Sequence, residues 1–301
     1  MWAVASSVMV TRPGLSVIVP VHNEEVYIGP CLDALIEQQG DLLEIIVVDN
    51  NCTDATVDVV RRAQERCAKI TLVEEAKPGV AHARNAGFDA AAGDILGRVD
   101  ADTRVRPNWA RVVCDYFGRG DTEEVGAISG LNNSYDSPYR SLKRWYVEKQ
   151  VQRGIFGGER PYRNLHGANM AIRRTAWERV REDVSVAPDI HEDLDLALCL
   201  GAAEVPIVQL SDMRVDISPR RALTPPREFG SYIESGVKTF ELHGRMTPEI
   251  RRALVLHERF HVLVYLAYRP YDPELGRFSL RALLGKPQAR TMPVSEVGEA
   301  R

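Results

Sequence analysis

Three acidic features of the chain have residue types and spacing that could do chemistry. Asp100 and Asp102 flank Ala101 in VDADT. At the end of an extended run, residues two apart point to the same side, so the two carboxylates would face one another. Crowded carboxylates repel unless a cation lies between them. All-oxygen donors suit Mg²⁺ or Mn²⁺, which commonly complete their shell with water and substrate phosphates. The second feature is His191-Glu192-Asp193, at the start of a helix-forming stretch. Acids there either serve chemistry or simply answer the free N–H groups and dipole of the helix end. The third is Asp49 in VVDNNCTD, where capping of the next helix is the plainer reading.

Chemistry of this kind needs a frame, and the first half of the chain supplies one. Leu15–Val21 and Glu44–Asp49 are apolar, β-branched runs of the kind found in strands buried on both faces. Lys69–Glu74 and Asp94–Val99 read as two more strands. Helical stretches separate them, at about Glu25–Gln39, from Thr53 or Asp54 to Ala68, and at Val80–Ala92. Strands alternating with helices predict an α/β fold with a Rossmann-like, mostly parallel sheet. Ligands of such sheets bind at the carboxyl ends of the strands. Asp49, Asp100 and Asp102 fall there.

The second half is less regular. Strands are expected at Val125–Gly130, Glu204–Leu210 and Met213–Ile217, and helices at Pro138–Gln152, near Thr175–Arg181 and at Glu192–Leu200. Arg153–His166 reads as a mobile loop, and Pro226 to about Tyr268 as helical. The expected organisation is a loose extension over 1–14, a catalytic domain over 15–217, a helical extension over 218–270 and a flexible tail over 271–301.

Bulk properties narrow the class. With 45% apolar and 27% charged residues among 301, the chain can build a core without disulfides or metal. A net charge of −4 excludes no small-molecule chemistry but gives nucleic acid no footing as a partner. Five scattered cysteines with no CxxC pair are expected to be reduced thiols in a cytoplasmic protein, at most peripheral at the inner face of the membrane. No run reaches the ~20 apolar residues of a spanning helix. Leu254–Tyr268 is strongly apolar but interrupted by His257, Glu258, Arg259 and His261. It is expected to dock on the domain or a second subunit, with a membrane surface as the alternative.

The order VIVPVHNEE, VVDNNCTDAT, KPGVAHARNAG, VDADT, LHGANMAIRR, HEDLDL over about residues 15–217 resembles the family 2 glycosyltransferases of the GT-A fold. That resemblance implies a metal-dependent, inverting transfer of a sugar from a UDP-, GDP- or dTDP-type donor to a sugar, lipid-linked or small-molecule hydroxyl. Pro20, His22, Glu24 and Asp49 would hold the base and ribose. Arg84 would face the donor's diphosphate or sugar. Asp100, Ala101 and Asp102 would form the donor's metal-binding turn, with Mn²⁺ or Mg²⁺ on the two aspartates. Gly167, Ala168 and Asn169 would line the acceptor side together with His191. Asp193 would be the general base, with Glu192 beside it orienting that base or touching acceptor hydroxyls. The chain departs from the family's pattern at His22, where Tyr is common, and at Cys52, where Ser is common. Arg220 and Arg221 could clamp the diphosphate or form a plain basic turn. A retaining transferase on the same fold and a non-catalytic nucleotide-sugar binder are the rival readings. PVHNEE after the first strand speaks against a nucleotidyltransferase, and the lack of GxGxxG there speaks against a dinucleotide-dependent dehydrogenase.

Overall fold

The computed structural model describes residues 12–155, 158–272 and 275–285. Apolar alternation places both faces of the first strand in separate cores. In β1 (Leu15–Val21), Val17 and Val19 join one hydrophobic cluster and Ile18 the other. Successive side chains of a strand point to opposite faces, so a run with no polar face must be covered on both. One cover is α1 (Ile28–Ile36), α2 (Thr56–Arg66) and, later in the chain, α4 (Trp109–Phe117). The other includes α3 (Val80–Ala90), α6 (Arg174–Val180) and α7 (Glu192–Ala202). Gly87 lets α3 lie close: a Cβ there would meet Ile18 Cγ2 at 2.5 Å and Val48 Cγ2 at 2.9 Å.

β2 (Glu44–Asp49), β3 (Ile70–Glu74) and β4 (Ile95–Arg98) complete a parallel run with β1. The remaining strands are β5 (Thr103–Val105), β6 (Ala127–Ser134), β7 (Glu159–Tyr162), β8 (Met170–Arg173) and β9 (Ile207–Ile217). The order is β3-β2-β1-β4-β8-β6-β9-β5, with β7 also on β9. The first four strands pair with one another only in parallel; β8 then enters antiparallel to both β4 and β6, while β6 and β9 pair in parallel again. Carboxyl ends of β1, β2 and β4 therefore open on one edge, and the turn after β4 delivers Asp100 and Asp102 to it.

Three expectations change. Glu204–Leu210 and Met213–Ile217 are one strand, β9, whose pairing with β6 shifts register between Ser129 and Leu131. The irregularity takes up Ser211 and Asp212, which interrupt the apolar pattern. The segment Arg153–His166 contains β7, which pairs antiparallel with β9 although it carries Pro161. A proline is tolerated in a strand with one ladder partner. Leucine-rich 226–268 is two helices, α8 (Pro226–Leu242) and α9 (Pro248–Tyr268), broken at Gly244, which has φ of 60°. β5 and α4 were not anticipated.

Of the expected tail, 271–285 contains β10 (Tyr271–Asp272) paired with β11 (Arg277–Phe278), then α10 (Leu280–Leu284). Tyr271 and Phe278 stack edge-on at 5.5 Å, which gives this piece an aromatic contact of its own. Residues 286–301 of that tail and 1–11 of the expected N-terminal extension lie outside the described residues. Arg12 pairs with Asp41 and Asp115, so the chain is tied down just before β1. No helix among the described residues is long and apolar enough to cross a membrane.

Candidate active site

A cleft of about 180 Å³ opens at the carboxyl edge of the sheet. Its walls bring together Asp100 and Asp102 from the turn after β4, Gly167 and Ala168 from the turn before β8, and His191, Glu192 and Asp193 from the start of α7. Residues 91 apart in the chain, Asp102 and Asp193, thus share one cavity.

The cleft's floor is a buried charge network. Glu192 is 9% exposed; its Oε1 accepts from Arg98 Nη1 at 2.6 Å and its Oε2 from Arg84 Nη1 at 3.1 Å. Arg84 also donates to the Glu192 backbone carbonyl at 2.7 Å. Arg98 donates from Nη2 to Asp100 at 3.2 Å. Burial alone lowers the affinity of each guanidinium for its proton. At Arg98 the charges of Glu192 and Asp100 outweigh burial and raise it above the ordinary value. At Arg84, fully buried, burial prevails. Arg84 from α3 and Arg98 from the end of β4 together hold the start of α7.

Three of the expected site residues make interior contacts. Arg84 faces Glu192 rather than the donor side, because a buried guanidinium needs a buried partner. Gly167 lines the cleft and also makes room for Arg98: a Cβ there would lie 2.3 Å from Arg98 Nη1. Asn169 is fully buried, accepts from Trp109 Nε1 at 2.8 Å and donates to the Met213 carbonyl at 3.0 Å. It ties α4 and β9 to the turn before β8 and does not line the cleft.

Asp193 differs from its neighbour. Its partners are backbone donors, Gly167 N–H to Oδ2 at 3.2 Å and Leu194 N–H to Oδ1 at 2.8 Å, and it lines the cleft. His191 also lines the cleft but spends Nε2 on the Tyr232 carbonyl, at 2.8 Å, and its backbone N–H on Thr239 Oγ1, at 2.9 Å. It thereby fastens α7 to α8. His166, beside Asp193, was missed by sequence reasoning. Burial pushes its imidazole below the ordinary range, against the pull of the Asp193 charge, and Nε2 lies 3.0 Å from Tyr162 Oη.

On the donor side, the base-holding candidates gather around the ends of β1 and β2. His22 Nδ1 donates to the Asn50 carbonyl at 2.7 Å. Asp49 Oδ1 accepts from Cys52 N–H at 2.9 Å, a bond within the loop that precedes α2 rather than a cap on that helix. Burial raises the Cys52 thiol to about 12, so it stays protonated. Pro20, next to last in β1, is half-buried.

Arg220 joins this side to the aspartates. It stands on a 3₁₀ turn, Pro219–Leu223, and its Nη2 lies 2.9 Å from both Glu24 Oε2 and Asp102 Oδ2. The guanidinium lies over the Tyr27 ring, 3.7 Å from its centroid. Arg221 lines the cleft beside it and donates to Tyr232 Oη at 2.9 Å.

A family model described as "Glycosyl transferase family 2" matches residues 16–181. The chain belongs to that family. Among its relatives, the probable glycosyltransferase YdaM of Bacillus subtilis is 32% identical over 190 residues, 59% of this chain and 45% of that one. A putative glycosyltransferase of the same organism, EpsH, is 28% identical over 153 residues, 46% of this chain and 44% of that one. The chain thus spans less than half the length of these curated relatives. A mannosyltransferase from Pyrobaculum calidifontis, solved with GDP-Man and Mn²⁺, superposes with a TM-score of 0.61 at 25% identity. That match covers 90% of this chain and 78% of the other. Glucosyl-3-phosphoglycerate synthase of Mycobacterium tuberculosis shares the fold at a TM-score of 0.54 and 17% identity, over 78% and 82% of the two chains.

Proposed function

We propose that the chain transfers a sugar from a nucleoside-diphosphate sugar to an acceptor hydroxyl with inversion, Asp193 acting as general base. One observation carries the reading: Asp193 and the Asp100–Asp102 pair line one cleft, while Glu192 is bound up by two arginines. A base must reach the attacking hydroxyl, and of these two neighbouring acids Asp193 is the one whose partners are backbone groups of the cleft wall.

The donor set fits a hard divalent cation: Asp102 offers a carboxylate whose partner is the part-exposed Arg220 rather than a group locked in the interior. Asp100 sits beside it, held on one oxygen by Arg98. Bound there, Mn²⁺ or Mg²⁺ would neutralise charge developing on the leaving diphosphate. The solved mannosyltransferase with GDP-Man and Mn²⁺ supports that choice of ion and donor class. Arg220 and Arg221 stand where a guanidinium fork could follow the diphosphate. Pro20, His22, Glu24 and Asp49 would face the nucleoside. Asp193 would take the hydroxyl proton as oxygen bonds to the anomeric carbon and the bond to diphosphate breaks.

Hydrolysis of the donor, with water as acceptor, tests this. With Mn²⁺ and a panel of nucleoside-diphosphate sugars, Asp193→Asn should lower turnover by ~10²-fold or more while donor affinity holds. Early NMR spectra should show the released sugar with the anomeric configuration opposite to the donor's. Retained configuration, or near-normal turnover in the variant, would overturn the assignment.

A further inference from the structure

Away from the cleft, α9 turns a stripe of large apolar side chains to solvent. Leu256 is 68% exposed, Phe260 59%, Leu263 62% and Leu266 60%. Their spacing of three and four puts them on one side of the helix. The other side is occupied: His261 stacks on Phe229 at 3.6 Å and is buried, as is Tyr268. Arg252 and Arg259 fall within the exposed stripe.

α5 adjoins it. Tyr139 Oη donates to the Ala267 carbonyl at 3.1 Å, and Lys143 Nζ lies 5.2 Å from the Tyr268 ring. No residue of α5 is buried, and Leu142, Trp145 and Tyr146 are all more than half exposed. Between them stand Arg140, Lys143, Arg144 and Lys149 against the single acid Glu148. α10 adds Leu280 and Leu284, 76% and 83% exposed, with Arg281. The chain as a whole has a charge of −4, so this basic and apolar side runs against the overall balance.

We propose that this side docks on an anionic lipid bilayer, with α9 lying along the headgroup plane and α5 beside it. An interfacial helix combines an apolar stripe with arginines, and Trp and Tyr favour the headgroup level. The charge decides against a second copy of this chain. A two-fold contact through the stripe would bring Arg252 and Arg259 of each copy toward those of the other. An anionic surface meets the same residues with opposite charge. The proposal is independent of the chemistry assigned to the cleft.

Flotation of the full chain with vesicles tests it. Binding to phosphatidylcholine mixed with phosphatidylglycerol should exceed binding to phosphatidylcholine alone on the order of tenfold, and should fall as salt is raised. Leu256→Asp with Leu263→Asp should abolish flotation while leaving the melting temperature and donor hydrolysis unchanged. Equal binding of wild type and variant, or no preference for the anionic vesicles, would overturn it. So would a wild-type dimer in sedimentation that the variant dissolves, with no vesicle binding by either.

Discussion

The cleft holds two sets of arginine–carboxylate pairs that differ in kind. In the inner set, Arg84 and Arg98 are at most 2% exposed and join Glu192 and Asp100 across α3, β4 and α7. In the outer set, Arg220 comes from a 3₁₀ turn, keeps 14% of its side chain exposed and reaches Glu24 and Asp102. Removing one partner of a buried pair strands a charge without water; at the rim, water or a ligand can take the partner's place. The inner set therefore holds geometry, and the outer set can exchange partners. A cation at Asp102, as proposed, would compete with Arg220 for the carboxylate.

Breaking the inner set should have the largest effect. Arg98→Met should cost on the order of 3 kcal/mol of folding stability, the scale for an orphaned buried partner, read by denaturant unfolding. Unchanged stability would mean that Glu192 does not depend on it and that the division between the two sets fails.

Asp49 sharpens the outer side. Asp49→Ala should weaken nucleoside-diphosphate binding by ~1–3 kcal/mol in calorimetry. A loss of stability with unchanged affinity would assign it to the framework, through the loop bond it accepts from Cys52 N–H.

Arg220→Met keeps the aliphatic stem over Tyr27 and removes the charge. Mn²⁺ should then bind the nucleotide-free protein about tenfold more tightly, roughly 1.4 kcal/mol by the usual conversion. Equal Mn²⁺ affinity in calorimetry would show that Arg220 and the ion do not compete.

The smallest effect concerns pH. Burial holds His166, His257 and His261 below the ordinary imidazole value. The unfolded chain then binds protons first as pH falls, so stability is full above about 6.5 and is lost on the way down to the folded values. The melting temperature should fall between neutral and mildly acidic pH. His261→Gln should make that fall shallower by roughly 2 °C, as scaled for a chain of this size. An identical slope would remove His261 from the titration.

The elements that were legible in the sequence are those whose signal is local. β1 and β2 begin and end where their apolar runs do, and α7 begins at Glu192 as its acids suggested. β7 escaped because an edge strand with a proline and alternating exposure carries little hydrophobic signal. Arg98 had a signal that could have been used: a charge inside an apolar strand must find a buried partner.

By itself the sequence determined the alternating elements of the first half, the carboxylates at their ends and the family, because burial pattern and motif spacing are properties of neighbouring residues. Only the tertiary structure decided which of two neighbouring acids is taken up by buried arginines. Glu192 and Asp193 are adjacent in the chain, and nothing local shows which of them is paired inside the protein. Arg84 and Arg98 arrive from 108 and 94 residues away and take one of them. Arg220 reaches Glu24 across 196 residues and Asp102 across 118. A buried charge must be compensated by whatever the fold brings within about 3 Å, and that partner can come from anywhere in the chain.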